Sequence, residues 1–374
     1  MRSGKILVSC LSVLWTVMAC SSGGETIRVG VFEGFGGAQT CIWETVKAVS
    51  LDEDMTVRTV TSADLAAGAL DRLDALVIPG GGGSRQYFNM GDANIARIRR
   101  FVENGGGLVG ICAGAYLLSD TPDYTCTGMS GARAIDIEHD NRGHGIAKFT
   151  LSEAGKALFP EVAAADTLFV MYYEGPVLVP SNPGEPAYEV FATMESDVHE
   201  EGDAPAGMTD GKPFFIGTPY GKGRVFSSIA HPEATPGMMW MVPRMVRWTL
   251  DLPVATYSSA VVNPDVFGRE ILMSREDLDF EASCFKVLLY GTPEEKIARL
   301  DWLQAHHSWD AKRWIQGMVY DADPAVRVRA ARYIADIHYL PYLLDVSAAC
   351  EGEADPAVRA QLVQCRDRLR SLLP

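Results

Sequence analysis

Over the first two thirds of the chain, short apolar runs rich in β-branched residues alternate with segments of helical periodicity. The predicted strands are TIRVGVF (26–32), MTVRTV (55–60), ALVI (75–78) and LVGI (108–111). Between the last two strands, Ile95, Ile98 and Val102 recur at helical spacing, and a glycine triplet ends that segment. This alternation predicts an α/β fold in which a mostly parallel sheet is flanked by helices.

The later strands carry more polar residues, which predicts that part of the sheet is antiparallel. VFATM (190–194), PFFIGTPY (213–220) and GRVFSSIA (223–230) are the strands predicted there. A turn at Gly221-Lys222-Gly223 joins the second to the third, and a helix over about 236–250 closes the domain. We therefore assign residues 27–250 to one α/β domain and residues 251–290, which lack a clear period, to a connector.

The C-terminal segment 291–374 repeats itself. DADPAVRVRAARYIADI (321–337) and EADPAVRAQLVQCRDRL (353–369) align at a spacing of 32 residues. Each copy places an aspartate, Asp323 or Asp355, before a proline, as expected for a helix N-cap followed by the first helical position. The segment resembles a small all-α region of HEAT-like helical repeats, which could dock a protein partner. A plain helical bundle is the alternative.

The N-terminus has the pattern of an export signal. Arg2 and Lys5 precede an apolar stretch that is too short to span a bilayer comfortably, and the stretch ends in Val-Met-Ala-Cys. This resembles a bacterial lipoprotein signal peptide over residues 1–19, with lipidation at Cys20 and a flexible tether over 20–26. The resemblance implies a lipid anchor in the cell envelope, on the outer membrane where one exists. An ordinary secretory signal or a signal anchor is the alternative.

Composition narrows the function classes. The 374 residues carry a net charge of −15, so the basic footprint that nucleic-acid binding requires is absent. The sequence contains no C-x-x-C motif, so a zinc or redox site of that type is not indicated. The glycines at 80–83 do not form a phosphate loop, because no Lys-Ser/Thr pair follows them. The histidines and acids of DIEHDNRGHG (136–145) lack metal-ligand spacing and predict a polar loop beside the cleft. We expect neither a cofactor nor a metal.

The segment GGGLVGICAGAYLLS (105–119) places a thiol where a buried strand breaks into a helix. A nucleophile at such an elbow needs small neighbours, and Gly110, Ala113 and Gly114 provide them around Cys112. The N-terminus of the following helix would favour the thiolate. The alternative is an inert core cysteine, since cysteine is among the most buried residue types.

A thiol nucleophile requires a base, and His231 is the candidate. It ends an apolar strand and is followed by Pro232 and Glu233, so that the carboxylate can turn back and orient the imidazole. Taken alone, this triplet also fits a loop histidine with an acid nearby.

Together these motifs resemble the class I glutamine amidotransferase-like superfamily, whose fold is flavodoxin-like. Within it, IPGGG (78–82), GLVGICAGAYL (107–117) and YYEGP (172–176) resemble the N-terminal domain of biotin-protein ligases. The resemblance implies Cys112 as nucleophile, His231 as base and Glu233 as the orienting acid. It also implies an oxyanion hole formed by Gly80, Gly81, Gly82 and Ala113. The substrate-binding residues that it implies are Tyr116, Tyr173 and Glu174.

The resemblance does not imply that glutamine is the substrate, because Ala115 and Tyr116 occupy the positions that hold glutamine in glutamine-using members. No ligase catalytic domain follows either.

The sequence leaves two hypotheses. One is a membrane-tethered, cysteine-dependent amidase or hydrolase acting on a small carboxamide, acyl or peptide substrate. The other is a non-catalytic ligand-binding or scaffold lipoprotein that docks partners on the cleft and the helical repeats.

Overall fold

The computed structural model describes residues 26–182, 184, 187–202 and 204–374. The predicted signal segment 1–19, the lipidation site Cys20 and the tether up to residue 25 lie outside the described residues. The strands are β1 Ile27–Phe32, β2 Met55–Val60, β3 Ala75–Ile78, β4 Gly107–Ile111, β5 Ala132–Ala134, β6 His144–Leu151, β7 Leu168–Tyr173, β8 Leu178–Pro180, β9 Glu189–Met194, β10 Pro213–Tyr220, β11 Gly223–Ser228 and β12 Ile271–Leu272.

Twelve α-helices lie within the described residues. They are α1 Gln39–Val49, α2 Ser62–Ala66, α3 Gly83–Glu103, α4 Ala113–Leu118, α5 Glu153–Leu158, α6 Met241–Thr249, α7 Arg275–Tyr290, α8 Pro293–Ala305, α9 Lys312–Met318, α10 Pro324–Asp336, α11 Leu343–Gly352 and α12 Pro356–Arg370. No described helix is long and apolar enough to cross a membrane.

The predicted α/β fold is confirmed. Strands β2, β1, β3, β4 and β11 form the parallel part of a mixed sheet. β3 is buried at every position and β4 likewise, which explains why their sequences are uninterrupted apolar runs. Because neighbouring strands are parallel, the loops after β1, β3, β4 and β11 all leave from one edge, where ligands bind in open α/β sheets. The predicted nucleophile and base lie at this edge.

The sheet continues from β11 through antiparallel strands, as the polar strand sequences predicted. β10 pairs with β11 and β9, β6 pairs with β9 and β7, and a separate two-stranded sheet joins β5 to β8. The predicted turn at Gly221 is present with positive φ, where glycine is favoured.

The segment 251–290, predicted as a connector without a clear period, contains regular secondary structure. Its residues Ile271–Leu272 form β12, which pairs antiparallel with β6 and extends the sheet. The sixteen residues after Ser274 form α7, whose first turn is capped by reciprocal hydrogen bonds between Ser274 and Asp277. Glu281 occupies one of the buried positions of this helix, with Cys284 and Leu288, and this charged residue obscured the apolar period. Helical structure therefore begins at 275 rather than 291.

The two aspartate caps predicted in the C-terminal repeats are confirmed. The Asp323 carboxylate accepts hydrogen bonds from the backbone N–H groups of residues 325 and 326, and Asp355 accepts the equivalent pair at the start of α12. Leu362, Cys365 and Leu369, one face of α12, are buried, and Val358 on the same face is half-buried. The helical region packs on α1 of the α/β domain through the turn at Leu340–Tyr342, so the two parts of the chain share one core cluster.

Candidate active site

Cys112 occupies the sharp turn between β4 and α4. Its φ of 51° and ψ of −106° lie in a region that residues with a side chain rarely adopt, and such strain is found preferentially at functional sites. Small neighbours make the turn possible. A Cβ on Gly114 would stand 2.2 Å from the Ile78 carbonyl oxygen, and one on Gly110 would stand 2.7 Å from the Gly114 backbone. The predicted strand-to-helix elbow is therefore present. Because α4 has only six residues, the helix dipole that was expected to favour the thiolate is small.

Cys112 lines a pocket, and the residue as a whole is 7 % exposed. Its backbone N–H donates to the Ser228 carbonyl at 2.8 Å, which links the elbow to the end of β11. The thiol donates to the Tyr173 carbonyl at 3.3 Å. His231 lines the same pocket, and it is close enough to Cys112 for that side chain to raise the pKa of the imidazole. A rotation of the thiol hydrogen from Tyr173 to the imidazole would prepare the nucleophile.

His231 and Glu233 form the acid–imidazole pair that the sequence predicted. His231 follows β11, and its backbone N–H donates to the Met171 carbonyl at 2.7 Å. Its Nδ1 lies 2.7 Å from Glu233 Oε1, and both side chains are buried. Burial alone lowers the pKa of an imidazole, but the charges of Cys112 and Glu233 outweigh it and raise the pKa of His231 well above its usual range. His231 is therefore a good acceptor for the proton of the Cys112 thiol.

A second thiol, Cys41 of α1, contacts the same imidazole and was not anticipated from the sequence. A Cβ on Gly80 would lie 2.9 Å from Cys41 Sγ and 2.7 Å from His231 Cε1, so only glycine leaves room for both groups. Burial raises the pKa of Cys41 to about 11, which keeps this thiol protonated. Cys41 therefore presents a neutral S–H to the ring. All six cysteines in the described part of the chain are free.

Cys41, His231 and Glu233 also form a group of possible metal ligands whose donor atoms lie within 4.8 Å of one another. A shared metal would have to replace the hydrogen bond between Nδ1 and the Glu233 carboxylate. Because that bond is already short and well placed to orient the ring, we assign the group to acid–base chemistry.

Backbone from the β3 loop and the elbow forms one side of the pocket. This glycine wall comprises Gly81, Gly82, Gly83 and Ala113. The N–H of Gly82 donates to the Gly36 carbonyl at 2.7 Å and is not free for a ligand. The N–H groups of Gly81 and Ala113 have no acceptor within the described residues, and both residues line the pocket. Of the predicted oxyanion-hole residues, Gly80 lies behind the wall, and the geometry favours Gly81 with Ala113.

The three predicted substrate-binding residues all line the pocket but in different ways. The hydroxyl of Tyr116 donates to the buried Asp136, which is also bound by Arg142, so only the flank of Tyr116 faces a ligand. Tyr173 contributes its carbonyl to Cys112. Glu174 has a positive φ of 49° and lies among other acids; burial, followed by the charges of neighbouring acids, raises its pKa to about 7.

The opposite side of the pocket comes from the helical region, which the sequence reasoning did not connect with the site. This helical wall consists of Trp309, Asp310 and Arg313, from the turn before α9 and its first residues. The Trp309 ring centroid is 4.8 Å from that of His231 and 5.4 Å from that of Tyr173. No local motif marks these residues. By contrast, the polar loop at 136–145 was expected beside the cleft, and its Asp140 does line the pocket.

The two walls enclose a cavity of about 330 Å³ that is open on one side. That volume suits a small molecule or the end of a chain. The charged groups on its lining are Asp140, Glu174, Asp310 and Arg313, with His231 at the floor.

A comparison with solved structures gives only distant likenesses. A protein titled SMU.1228c is 19 % identical, with 57 % of this chain and 80 % of that chain covered, at a TM-score of 0.38. A putative ThuA-like protein from Bacteroides uniformis is 11 % identical, with 60 % and 91 % covered, at 0.42. A β-galactosidase from Rahnella sp. R3 is 12 % identical, with 61 % of this chain but only 32 % of that chain covered, at 0.38.

No curated protein matches the chain. The family model described as "Biotin-protein ligase, N terminal" matches residues 27–246, which is almost the whole α/β domain and more than half of the chain. The match covers the elbow cysteine, the glycine wall and the histidine–glutamate pair, and the chain belongs to the biotin-protein ligase N-terminal domain family.

Proposed function

We propose that the protein is a cysteine-dependent amidase or hydrolase that acts on a small carboxamide or acyl substrate. The observation that carries the proposal is the strained Cys112 beside a buried His231 whose other nitrogen is held by Glu233. Nucleophile, base and orienting acid therefore stand in the order that covalent catalysis requires. The limited cavity supports a small substrate or a chain end.

In the proposed reaction, Cys112 Sγ bonds to the carboxamide carbon while its proton passes to His231. The N–H groups of Gly81 and Ala113 are placed to stabilise the resulting oxyanion. The C–N bond then breaks, the imidazolium gives its proton to the leaving nitrogen, and an acyl thioester remains. Water attacks the thioester with His231 as base, which releases the carboxylic acid and restores the thiol.

The first test measures alkylation by iodoacetamide at each cysteine by mass spectrometry between pH 5 and 9. Cys126 is half-buried and lies outside the triad, so it serves as a control within the same molecule. We expect Cys112 to react faster than Cys126 below pH 7 and to lose that advantage in His231→Gln. Equal rates at the two cysteines would contradict the proposal. Ammonia release from a panel of small carboxamides, absent in Cys112→Ala, would then identify the substrate.

The thiol bond to the Tyr173 carbonyl favours a second candidate, a binding protein whose cleft holds a ligand without chemistry. In that case Cys112→Ala would retain both ligand binding and the cellular phenotype. The catalytic proposal requires that the phenotype is lost although the variant is folded.

The cellular setting that we propose is a lipid-anchored protein of the bacterial envelope, attached through Cys20. The support is the lipobox-like sequence described above. Cys20→Ser is expected to abolish labelling with a fatty-acid analogue and to leave an uncleaved or soluble protein. A labelled variant of wild-type size in the membrane fraction would rule out this anchor.

A further inference from the structure

Between α8 and α9, a short turn brings the helical region into contact with the catalytic histidine. The buried His307 lies against the backbone of Ala234, three residues after His231. Ser308 accepts a hydrogen bond from the Ala311 N–H at 3.0 Å and donates to Glu281 of α7, so both sides of the turn are fixed. Trp309, between these anchors, packs on His231.

The position of Trp309 is relevant to the thiol as well as to the base. One of its contacts is the imidazole that would take the Cys112 proton, at a centroid separation of 4.8 Å. Another is the ring of Tyr173, whose carbonyl accepts that proton now. Trp309 therefore touches both residues between which the thiol hydrogen must move.

A buried ion pair supports the indole. The Lys312 ammonium lies 4.0 Å from the Trp309 ring centroid, within the range of a cation–π contact. It also lies 2.6 Å from Glu44 Oε1, and the two charged side chains are 2 % and 0 % exposed. Glu44 belongs to α1, one turn after Cys41. The pair thus joins the helical region to the element that carries the second thiol at His231.

We infer that Trp309 is a positioning residue for His231, that the buried Lys312–Glu44 pair holds it in place, and that the C-terminal helical region is therefore part of the active site. Trp309 packs the imidazole against the sulfur and excludes water from it. This inference rests on the proposed role of His231 as the base for Cys112.

The test uses the full chain and follows the pH profile of Cys112 alkylation. In Trp309→Leu we expect the acid limb of the profile to move to higher pH and the rate at pH 6.5 to fall by about tenfold, because a loosely held imidazole stabilises the thiolate less. Trp309→Phe keeps a ring and should stay within about twofold of wild type. Trp302→Leu removes an indole elsewhere in the helical region and should leave the profile unchanged.

A second comparison isolates the ion pair. Glu44→Gln/Lys312→Met removes both buried charges and should shift the profile in the same direction as Trp309→Leu, but less. The matched control is Lys296→Met/Asp321→Asn, which removes another largely buried pair within the helical region. An unchanged Glu44→Gln/Lys312→Met profile, or an equal shift in the control, would overturn the role of the pair.

The outcomes separate the inference from the proposed function. If His231→Gln changes the profile and Trp309→Leu does not, the positioning role fails while the base role stands. If His231→Gln leaves the profile unchanged, the base role fails, and the inference fails with it. A direct readout is the imidazole NMR signal of His231, assigned by its loss in His231→Gln. Trp309→Leu should move this signal and Trp302→Leu should not.

Discussion

The two walls of the pocket are built on different principles. The glycine wall presents backbone N–H groups that strand ends and tight packing hold in place, and it leaves no room for a Cβ at Gly81 or Gly83. The helical wall presents an indole, a carboxylate and a guanidinium from a segment about 200 residues further along the chain. Fixed backbone N–H groups can stabilise the oxyanion that forms from any acyl substrate. Side chains such as those of the helical wall can instead distinguish one substrate from another.

The largest expected effect tests what holds the helical wall in place. Lys312→Met leaves the Glu44 carboxylate buried without its partner, and we expect the free energy of unfolding to fall by about 3–5 kcal/mol. Glu44→Gln/Lys312→Met should recover most of this loss, since no unpaired charge remains. Urea denaturation measures both. Equal stability of the single and double variants would mean that the pair does not act as a unit.

The elbow that supplies Ala113 to the glycine wall is tested by Gly114→Ala. Its new Cβ would meet the Ile78 carbonyl oxygen at 2.2 Å, so the backbone must shift, at a cost of about 1–3 kcal/mol. Cys112 alkylation should slow as well, because the elbow moves with α4. The control is Gly317→Ala in α9, where nothing lies within 4 Å of the added carbon and a small gain in stability is expected. If Gly317→Ala lowered the stability and Gly114→Ala did not, close packing at Gly114 would not be what holds the elbow in place.

Glu174 lines the same pocket and gives a pH-dependent prediction. With a pKa of about 7, its side chain is neutral below that pH and negative above it, so the pocket gains negative charge as the pH rises through 7. We expect the ratio of Cys112 alkylation rates with anionic iodoacetate and neutral iodoacetamide to fall several-fold between pH 6 and 8. The ratio cancels the thiolate fraction. In Glu174→Gln the fall should become much smaller; an unchanged fall would place the titrating group elsewhere.

The smallest effects concern the charges of the helical wall. Arg313→Gln should lower the same iodoacetate-to-iodoacetamide ratio, and Asp310→Asn should raise it, each by about twofold at low salt. Both shifts should shrink at high salt, because these groups border open solvent. Arg332→Gln, which removes a charge of α10 that binds Gln361, is the control and should leave the ratio constant. Identical ratios in all three variants would remove the helical wall from ligand selection.

The residues of the α/β domain that form the triad could be predicted from the sequence, whereas the contacts made by the helical region could not. Cys112, His231 and Glu233 were identified because each sits in a local pattern: an apolar strand that ends abruptly, small residues around a turn, or an acid two positions after a histidine. Trp309 and Cys41 carry no such pattern. They reach His231 only because the helical region packs on α1 and α1 packs beside β1. Contacts of that kind depend on tertiary packing, which periodicity and spacing do not encode.

β12 has a consequence for how the protein can be divided. This two-residue strand satisfies backbone groups of β6 at Gly145–Ile146, which β9 does not reach, and the Ile271 carbonyl stands 2.0 Å from where a Cβ on Gly145 would be. A fragment that ends at residue 250 would leave these groups as an exposed sheet edge, a template on which further copies could add by strand pairing. The smallest fragment expected to resist aggregation therefore extends past residue 272, although the family match ends at residue 246.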